Sequence, residues 1–153
     1  MRRFLHRAIL GALIFFPMGA FGALDSVAQS SSLTALFSTM AEIADEGPMM
    51  SYFGWTEVKS EMLDAKCKAA TEDDAVSYLT NLVSEMDWAS QEQINRLGSQ
   101  MEAALIDFRT ILGSDSLQRC DHDFSENMTW THQIRFMNLA TGYQITFTEG
   151  YED

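Results

Sequence analysis

The sequence is poor in cysteine, proline and basic residues, and each shortage narrows what the protein can be. Its 153 residues include two Cys, two Pro and ten Lys or Arg, against 22 Asp or Glu. Nucleic acids and anionic membranes select for clustered Lys and Arg, so we expect no nucleic-acid partner. The two cysteines, Cys67 and Cys120, lack the C-x-x-C spacing of common redox couples, which favours a structural bond.

Motifs of nucleophilic catalysis are also missing. The sequence has no G-x-S-x-G and no S-x-x-K motif, and His122 and His132 are its histidines after residue 22. No nucleophile is therefore paired with a recognisable base. We expect a non-enzymatic protein that uses no cofactor. The alternative is an enzyme that uses two of the many carboxylates, because such pairs are recognised by geometry and not by spacing.

The first residues have the order of a secretory signal. Basic residues come first, the run Ala8–Phe16 is apolar, and Pro17 follows. The segment 20–22 has small residues at its first and last positions, which are the positions that a signal peptidase recognises. This pattern predicts a cleavable signal peptide over residues 1–22, with a second candidate cleavage site after Ala28. We expect a periplasmic or secreted protein that is not inserted in the membrane after cleavage. An uncleaved membrane anchor is the alternative.

Cleavage after residue 22 would leave a markedly acidic chain. It would remove three of the ten basic residues and none of the 22 acidic ones, for a net charge of −15. The remainder is predicted to be a flexible lead-in over residues 23–31 and a single domain over residues 32–153. Such a surface attracts a basic protein or a cation, although it also serves solubility alone.

Cys67 and Cys120 are predicted to form a disulfide. An even number of cysteines in an exported protein indicates pairing. The bond would close a loop of about 54 residues, which stabilises the folded state by roughly 4 kcal/mol through the entropy of the unfolded chain.

Four stretches have helical periodicity or helix caps. The first keeps apolar residues from Leu33 to Ala44 at a 3.6-residue period after a Ser31 or Ser32 cap, and the second places Trp55, Val58, Met62, Ala65 and Ala69 on one face. Thr71 with Asp74, and Ser90 with Gln93, resemble capping boxes that begin a third and a fourth helix. Gly113 is the expected C-terminal cap of the fourth.

The period changes to two near the carboxyl terminus. Large apolar residues alternate from Met128 to Phe136 and again from Tyr143 to Phe147, on either side of the segment 138–142. This pattern predicts a β-hairpin with a five-residue loop. The predicted fold is therefore α+β and mostly α, with about four helices in a bundle, a C-terminal β-hairpin and one disulfide.

The best candidate for a cation site is the acidic segment after Cys120. Asp121, His122 and Asp123 are followed by His132, and carboxylates with imidazoles are suitable ligands for divalent cations. Glu126 stands where an EF-hand loop needs glycine, and no recognised zinc spacing is present. The alternative interpretation is a solvated acidic loop next to a disulfide.

Two aromatic clusters are candidates for contact with a partner. Aromatic side chains are enriched at interface hot spots, and a hairpin edge is suited to strand addition. The alternative is that the two clusters pack against each other and close the core. The residues are Tyr52, Phe53 and Trp55 in one cluster and Trp130, Phe136, Tyr143 and Phe147 in the other.

These observations lead to three hypotheses about function. The first is a small exported non-enzymatic protein that binds another protein, as an adaptor, an inhibitor or an accessory subunit. The second is a protein that binds a small ligand or a divalent cation through residues 121–132. The third is an enzyme based on carboxylates.

Overall fold

The computed structural model describes residues 30–48, 51–59, 62, 65–126 and 128–152. Within these ranges the chain forms three helices and one five-stranded antiparallel sheet. The elements, in chain order, are α1 (Ser31–Asp45), β1 (Tyr52–Thr56), β2 (Lys66–Ala70), α2 (Glu72–Glu85), α3 (Gln91–Leu112), β3 (Leu117–Glu126), β4 (Thr129–Asn138) and β5 (Gln144–Glu152). The strand order in the sheet is β1-β5-β4-β3-β2.

The predicted caps of the last two helices are confirmed. Thr71 and Asp74 form a reciprocal capping box at the start of α2, and Ser90 and Gln93 form another at the start of α3. Each box satisfies two backbone N–H groups that the first helical turn leaves unpaired. Gly113 caps the end of α3 with a φ of 72°, a conformation that suits glycine. The α1 cap is Ser30 and not the predicted Ser31 or Ser32.

All three helices pack on one face of the sheet, where Phe147 of β5 is the common contact. Its ring centroid lies 5.5 Å from that of Phe37 on α1, 5.5 Å from Tyr78 on α2 and 6.3 Å from Phe108 on α3. The neighbouring core positions of the sheet, Ile134 and Phe136, are fully buried. The core therefore lies between the helical layer and the central strands β4 and β5.

The prediction of a four-helix bundle is wrong. The predicted second helix is absent: Trp55 lies in β1 and Ala69 lies in β2, and Val58 between the strands is 74% exposed. Tyr52–Thr56 is rich in aromatic residues and pairs with β5, so the sheet supplies long-range contacts that outweigh a helical spacing.

The segment after Cys120 is a strand and not a loop. Residues 117–126 form β3, which pairs with β4 along its whole length. The predicted hairpin does form, as β4 and β5, but it is not a separate cap on a helical bundle. Because β3 and β1 flank it, the hairpin has no free edge for strand addition.

The predicted disulfide is present between two adjacent strands. Cys67 of β2 and Cys120 of β3 are direct cross-strand partners with Cα atoms 4.0 Å apart. The bond attaches the short edge strand β2 to the sheet. Such bonds are typical of proteins in oxidising compartments outside the cytoplasm.

The predicted signal peptide, both predicted cleavage sites and residues 23–29 of the lead-in lie outside the described residues. Among the helices that the structure describes, none has the length and apolar character needed to cross a bilayer.

Candidate functional site

The sheet extends beyond the helical layer, and its uncovered end carries a group of polar and aromatic side chains. Side chains alternate between the two faces of a strand, so the core face of β4 and β5 continues past Ile134 and Phe147. The next cross-strand pairs on this face are His132 with Glu149 and Trp130 with Tyr151. The Trp130 ring stacks on both of its neighbours, with ring centroids 5.8 Å from His132 and 5.7 Å from Tyr151.

Helix α2 forms the opposite wall of this region. Its buried stripe includes Leu79 and Leu82, which pack into the core. A second stripe turns towards the uncovered end of the sheet, because residues three and four apart share a face of a helix. This polar stripe consists of Asp74, Tyr78, Asn81 and Glu85.

Between α2 and the sheet lies a cavity of about 320 Å³ with mainly apolar walls. Phe53 and Met86 are buried side chains of its lining. Three larger rings line it with substantial exposed area, namely Trp88 at 38%, Trp130 at 37% and Tyr151 at 39%. Exposed aromatic rings around a buried apolar floor are suited to receive an apolar group.

A second cavity of about 440 Å³ adjoins the first and is polar. Tyr78, Arg119 and His132 line it, and both cavities share Glu85 and Glu149 in their walls. The two spaces therefore adjoin at these residues, and we call them together the α2 cleft: apolar at the Phe53 end and polar at the Arg119 end.

Glu149 is a carboxylate of the cleft whose pKa is shifted by this environment. Tyr78 on α2 donates a hydrogen bond to Glu149 Oε1 over 3.4 Å. Burial raises the pKa of Glu149, the negative charge of Glu85 raises it further, and His132 and the Tyr78 hydrogen bond oppose the shift. Burial, with the Glu149 charge as the second cause, also raises the pKa of Tyr78, which stays protonated. A carboxylate with a raised pKa in a cleft marks a candidate functional group.

The cationic groups of the cleft are already engaged. Arg119 forms a salt bridge of 2.6 Å with Asp121 and lies over the Tyr78 ring at 5.4 Å. His132 is hydrogen-bonded to Asp123. In the part of the chain that the structure describes, neither Glu85 nor Glu149 forms a salt bridge. The junction of the two cavities therefore carries negative charge without a direct cationic partner.

The four predicted metal ligands do not converge. Asp121 and Asp123 lie on the helix-facing side of β3, and each bonds to a different partner, Arg119 or His132. His122 lies on the opposite face, next to Phe124. Over the described ranges, no three His, Cys, Asp or Glu side chains are placed to hold a metal ion.

The aromatic residues that were predicted to contact a partner fall into two groups, one buried in the core and one lining the cleft. Phe136, Phe147 and Tyr143 are buried in the core, and Trp55 packs against it with its centroid 5.1 Å from Phe37. The two predicted clusters also contact each other, since the ring centroids of Phe53 and Phe147 lie 6.3 Å apart.

Three of the predicted aromatics line the cleft. Trp130 and Phe53 do so, and Tyr52 contributes to the wall while its hydroxyl hydrogen-bonds to Thr131 on the other face of the sheet.

Sequence reasoning missed Tyr78, Trp88, Glu149 and Tyr151. For two of them a signal was present: the odd-numbered alternation of Tyr143, Ile145 and Phe147 continues to Glu149 and Tyr151. Tyr78 and Trp88 carry no signal of this kind, because only the packing of α2 on the sheet brings them to the cleft.

The fold and the cleft define an α+β protein in which three helices cover part of one antiparallel sheet and leave a cleft at its uncovered end. The sequence matches no protein-family model and no curated protein. Both cysteines are in the disulfide, so the described cleft offers no thiol nucleophile. Chemically, the arrangement is suited to bind a group that is apolar at one end and cationic at the other.

Proposed function

We propose that this is an exported, non-enzymatic protein that binds another protein by holding a segment of it in the α2 cleft. The observation that carries the proposal is the exposure of Trp88, Trp130 and Tyr151 around a buried floor. A few residues supply most of the binding energy in protein interfaces, and tryptophan and tyrosine are enriched among them.

The charge of the chain supports a basic partner. Acidic residues outnumber basic ones by 22 to ten, and Glu85 and Glu149 bring this excess into the cleft. Opposite charges accelerate association and discriminate against acidic proteins. The disulfide and the signal-like first 22 residues support a periplasmic or secreted location.

A small-molecule carrier is the second candidate, and the size of the cleft favours it. Cavities of about 320 and 440 Å³ lie in the range of known ligand pockets, which is roughly 300 to 1,000 Å³. The two candidates differ in what must bind: a carrier recognises the free small molecule, whereas a protein-binding module needs the flanking backbone as well.

Tryptophan fluorescence provides a direct test. The probes are end-blocked hexapeptides with a central phenylalanine flanked by a basic, a neutral or an acidic residue. We expect a saturable change in emission with at least one of them, and none when serine replaces phenylalanine. Trp88 and Trp130 report from the cleft, whereas Trp55 packs against the core.

A matched pair of variants assigns the signal. Trp130→Ala should abolish binding, and Ile106→Ala should preserve it, because Ile106 is an exposed apolar residue of α3 that does not line the cleft. Peptides that bind equally well with serine in place of phenylalanine, or no binding by any probe, would refute the proposal.

A further inference from the structure

We infer that the segment recognised by the α2 cleft carries a lysine or arginine next to a bulky apolar side chain, with the cation held between Glu85 and Glu149. This inference rests on the proposed function and specifies the chemistry of the partner. It assigns the apolar side chain to the cavity at Phe53 and Met86.

The first support is the position of the two carboxylates. Glu85 on α2 and Glu149 on β5 line both the apolar and the polar cavity, so they stand where the two spaces meet. A residue whose neighbour is inserted in the apolar cavity would reach this junction. The two acids come from opposite walls, one exposed on α2 and one partly buried on β5, so a cation bound at the junction can contact both.

The second support is that neither acid forms a salt bridge within the described cleft, where the nearby His132 only partly offsets the rise in the pKa of Glu149 that burial causes. The Arg119 guanidinium is held by Asp121 at 2.6 Å and the His132 ring by Asp123. Tyr78 supplies Glu149 with one neutral donor at 3.4 Å. An incoming ammonium or guanidinium group would supply the charge-assisted hydrogen bonds that the two carboxylates lack.

The third support comes from the rings beside the junction. Trp130 lines both cavities and stacks with Tyr151 at 5.7 Å. The aliphatic stem of lysine or arginine packs on such rings while the charged end reaches the carboxylates. Cations are also attracted directly to the faces of tryptophan and tyrosine. Apolar wall and acidic junction thus select for the same kind of side chain.

The same arrangement excludes acidic segments. A glutamate next to the apolar anchor would meet Glu85 and Glu149 with no free cation in the described cleft to offset the repulsion. Repulsive contacts of this kind contribute to specificity as much as attractive ones do.

The test compares three peptides that differ at one position. Each end-blocked hexapeptide has a central phenylalanine followed by lysine, norleucine or glutamate, with glycine and serine elsewhere. We expect the lysine peptide to bind about tenfold more tightly than the norleucine peptide, since charge-assisted hydrogen bonds are lost in the latter. The glutamate peptide should bind more weakly still.

Variants locate the cation. Glu149→Gln and Glu85→Gln should each reduce the preference for lysine over norleucine towards unity while leaving the affinity for the norleucine peptide nearly unchanged. Glu102→Gln is the matched control, because Glu102 is an exposed acid of α3 that lines neither cavity.

The outcomes separate this inference from the proposed function. Equal binding of all three peptides would overturn the inference and leave the protein-binding proposal standing, whereas no binding by any peptide would remove both. Phenethylammonium serves as the small-molecule arm. If it binds as tightly as the lysine peptide, the cleft recognises a free organic cation and the assignment to a protein segment is wrong.

Discussion

Tyr78 on α2 and Glu149 on β5 are joined by a hydrogen bond of 3.4 Å that spans the α2 cleft. The bond links the polar stripe of the helix to the uncovered end of the sheet. The partly buried Glu149 also faces a second acid, Glu85, and burial disfavours the charged form of its carboxyl group. A charged group kept in such a place reduces the stability of the free protein, which is a common property of binding sites.

Glu149→Gln is therefore predicted to raise the free energy of unfolding at neutral pH. The pKa of Glu149 in the folded protein lies above the ordinary value of 4.5. At a pH between the ordinary and the raised pKa, the folded protein therefore binds more protons than the unfolded chain does. The wild type loses stability as pH rises through this window, and glutamine does not titrate. Urea denaturation of both proteins measures the difference.

Two controls fix the interpretation of that experiment. The advantage of Glu149→Gln should shrink as the pH is lowered towards 4.5, and Glu102→Gln should show no such pH-dependent gain. A variant that is less stable than the wild type at neutral pH would mean that the Tyr78 hydrogen bond outweighs the burial of the charge.

Gly150→Ala is predicted to destabilise the fold by about 2 kcal/mol or more, as overpacking does. A Cβ atom at this position of β5 would lie 2.1 Å from the Trp130 carbonyl oxygen and 2.6 Å from Tyr52 Oη. The backbone oxygen cannot move away without disturbing the pairing of β4 with β5. Chemical denaturation gives the change in stability.

Gly98→Ala is the matched control substitution, and it is predicted to raise the stability of the fold instead of lowering it. Gly98 lies inside α3, and a Cβ atom there would meet nothing within 4 Å. Alanine should stabilise the helix by about 0.5–1 kcal/mol, because glycine loses more backbone entropy on folding. Equal effects of the two substitutions would contradict the packing of Tyr52 and Trp130 around Gly150.

Local chemistry was predictable from the sequence, and long-range pairing was not. The capping boxes at Thr71 and Ser90 each depend on side chains three residues apart, so they are visible in the sequence and are confirmed. The helical spacing of Trp55, Val58 and Ala69 is equally local, but β1 pairs with β5 about 90 residues further along the chain. Nothing within residues 55–70 reveals that partner.

The strand β3 was missed for a reason connected with the site. After Leu117, the helix-facing positions of β3 are Arg119, Asp121, Asp123 and Ser125. These residues are polar because the helices do not cover this end of the sheet. No apolar alternation marks such a strand, and its acids resemble those of a loop. The polar residues that made β3 unrecognisable in the sequence thus belong to the part of the sheet that the helices leave open at the cleft.

Replacing both Cys67 and Cys120 with alanine is predicted to lower the free energy of unfolding by about 2–4 kcal/mol. The bond joins positions 53 residues apart and attaches β2, a short edge strand with mostly exposed side chains, to the sheet. Thermal and chemical denaturation measure the loss. Titration of thiols in the unfolded, unreduced wild type should detect none, and two free thiols would show that the bond does not form.

Binding of the lysine hexapeptide is predicted to weaken as the pH is lowered from neutral, by about tenfold once Glu149 is protonated. Its raised pKa places this loss at a higher pH than for an ordinary glutamate. The charged or titratable groups that face Glu149 are Tyr78, Glu85 and His132, and a positive charge on His132 would repel the bound lysine. Fluorescence titration over the pH range should therefore be repeated with Glu149→Gln and His132→Gln. Glu149→Gln should remove most of the pH dependence, and His132→Gln should leave most of it in place.

The norleucine peptide should bind with nearly constant affinity throughout, because it places no charge at the junction. If Glu149→Gln retains the full pH dependence for the lysine peptide, another group controls binding and the cation does not lie at Glu149.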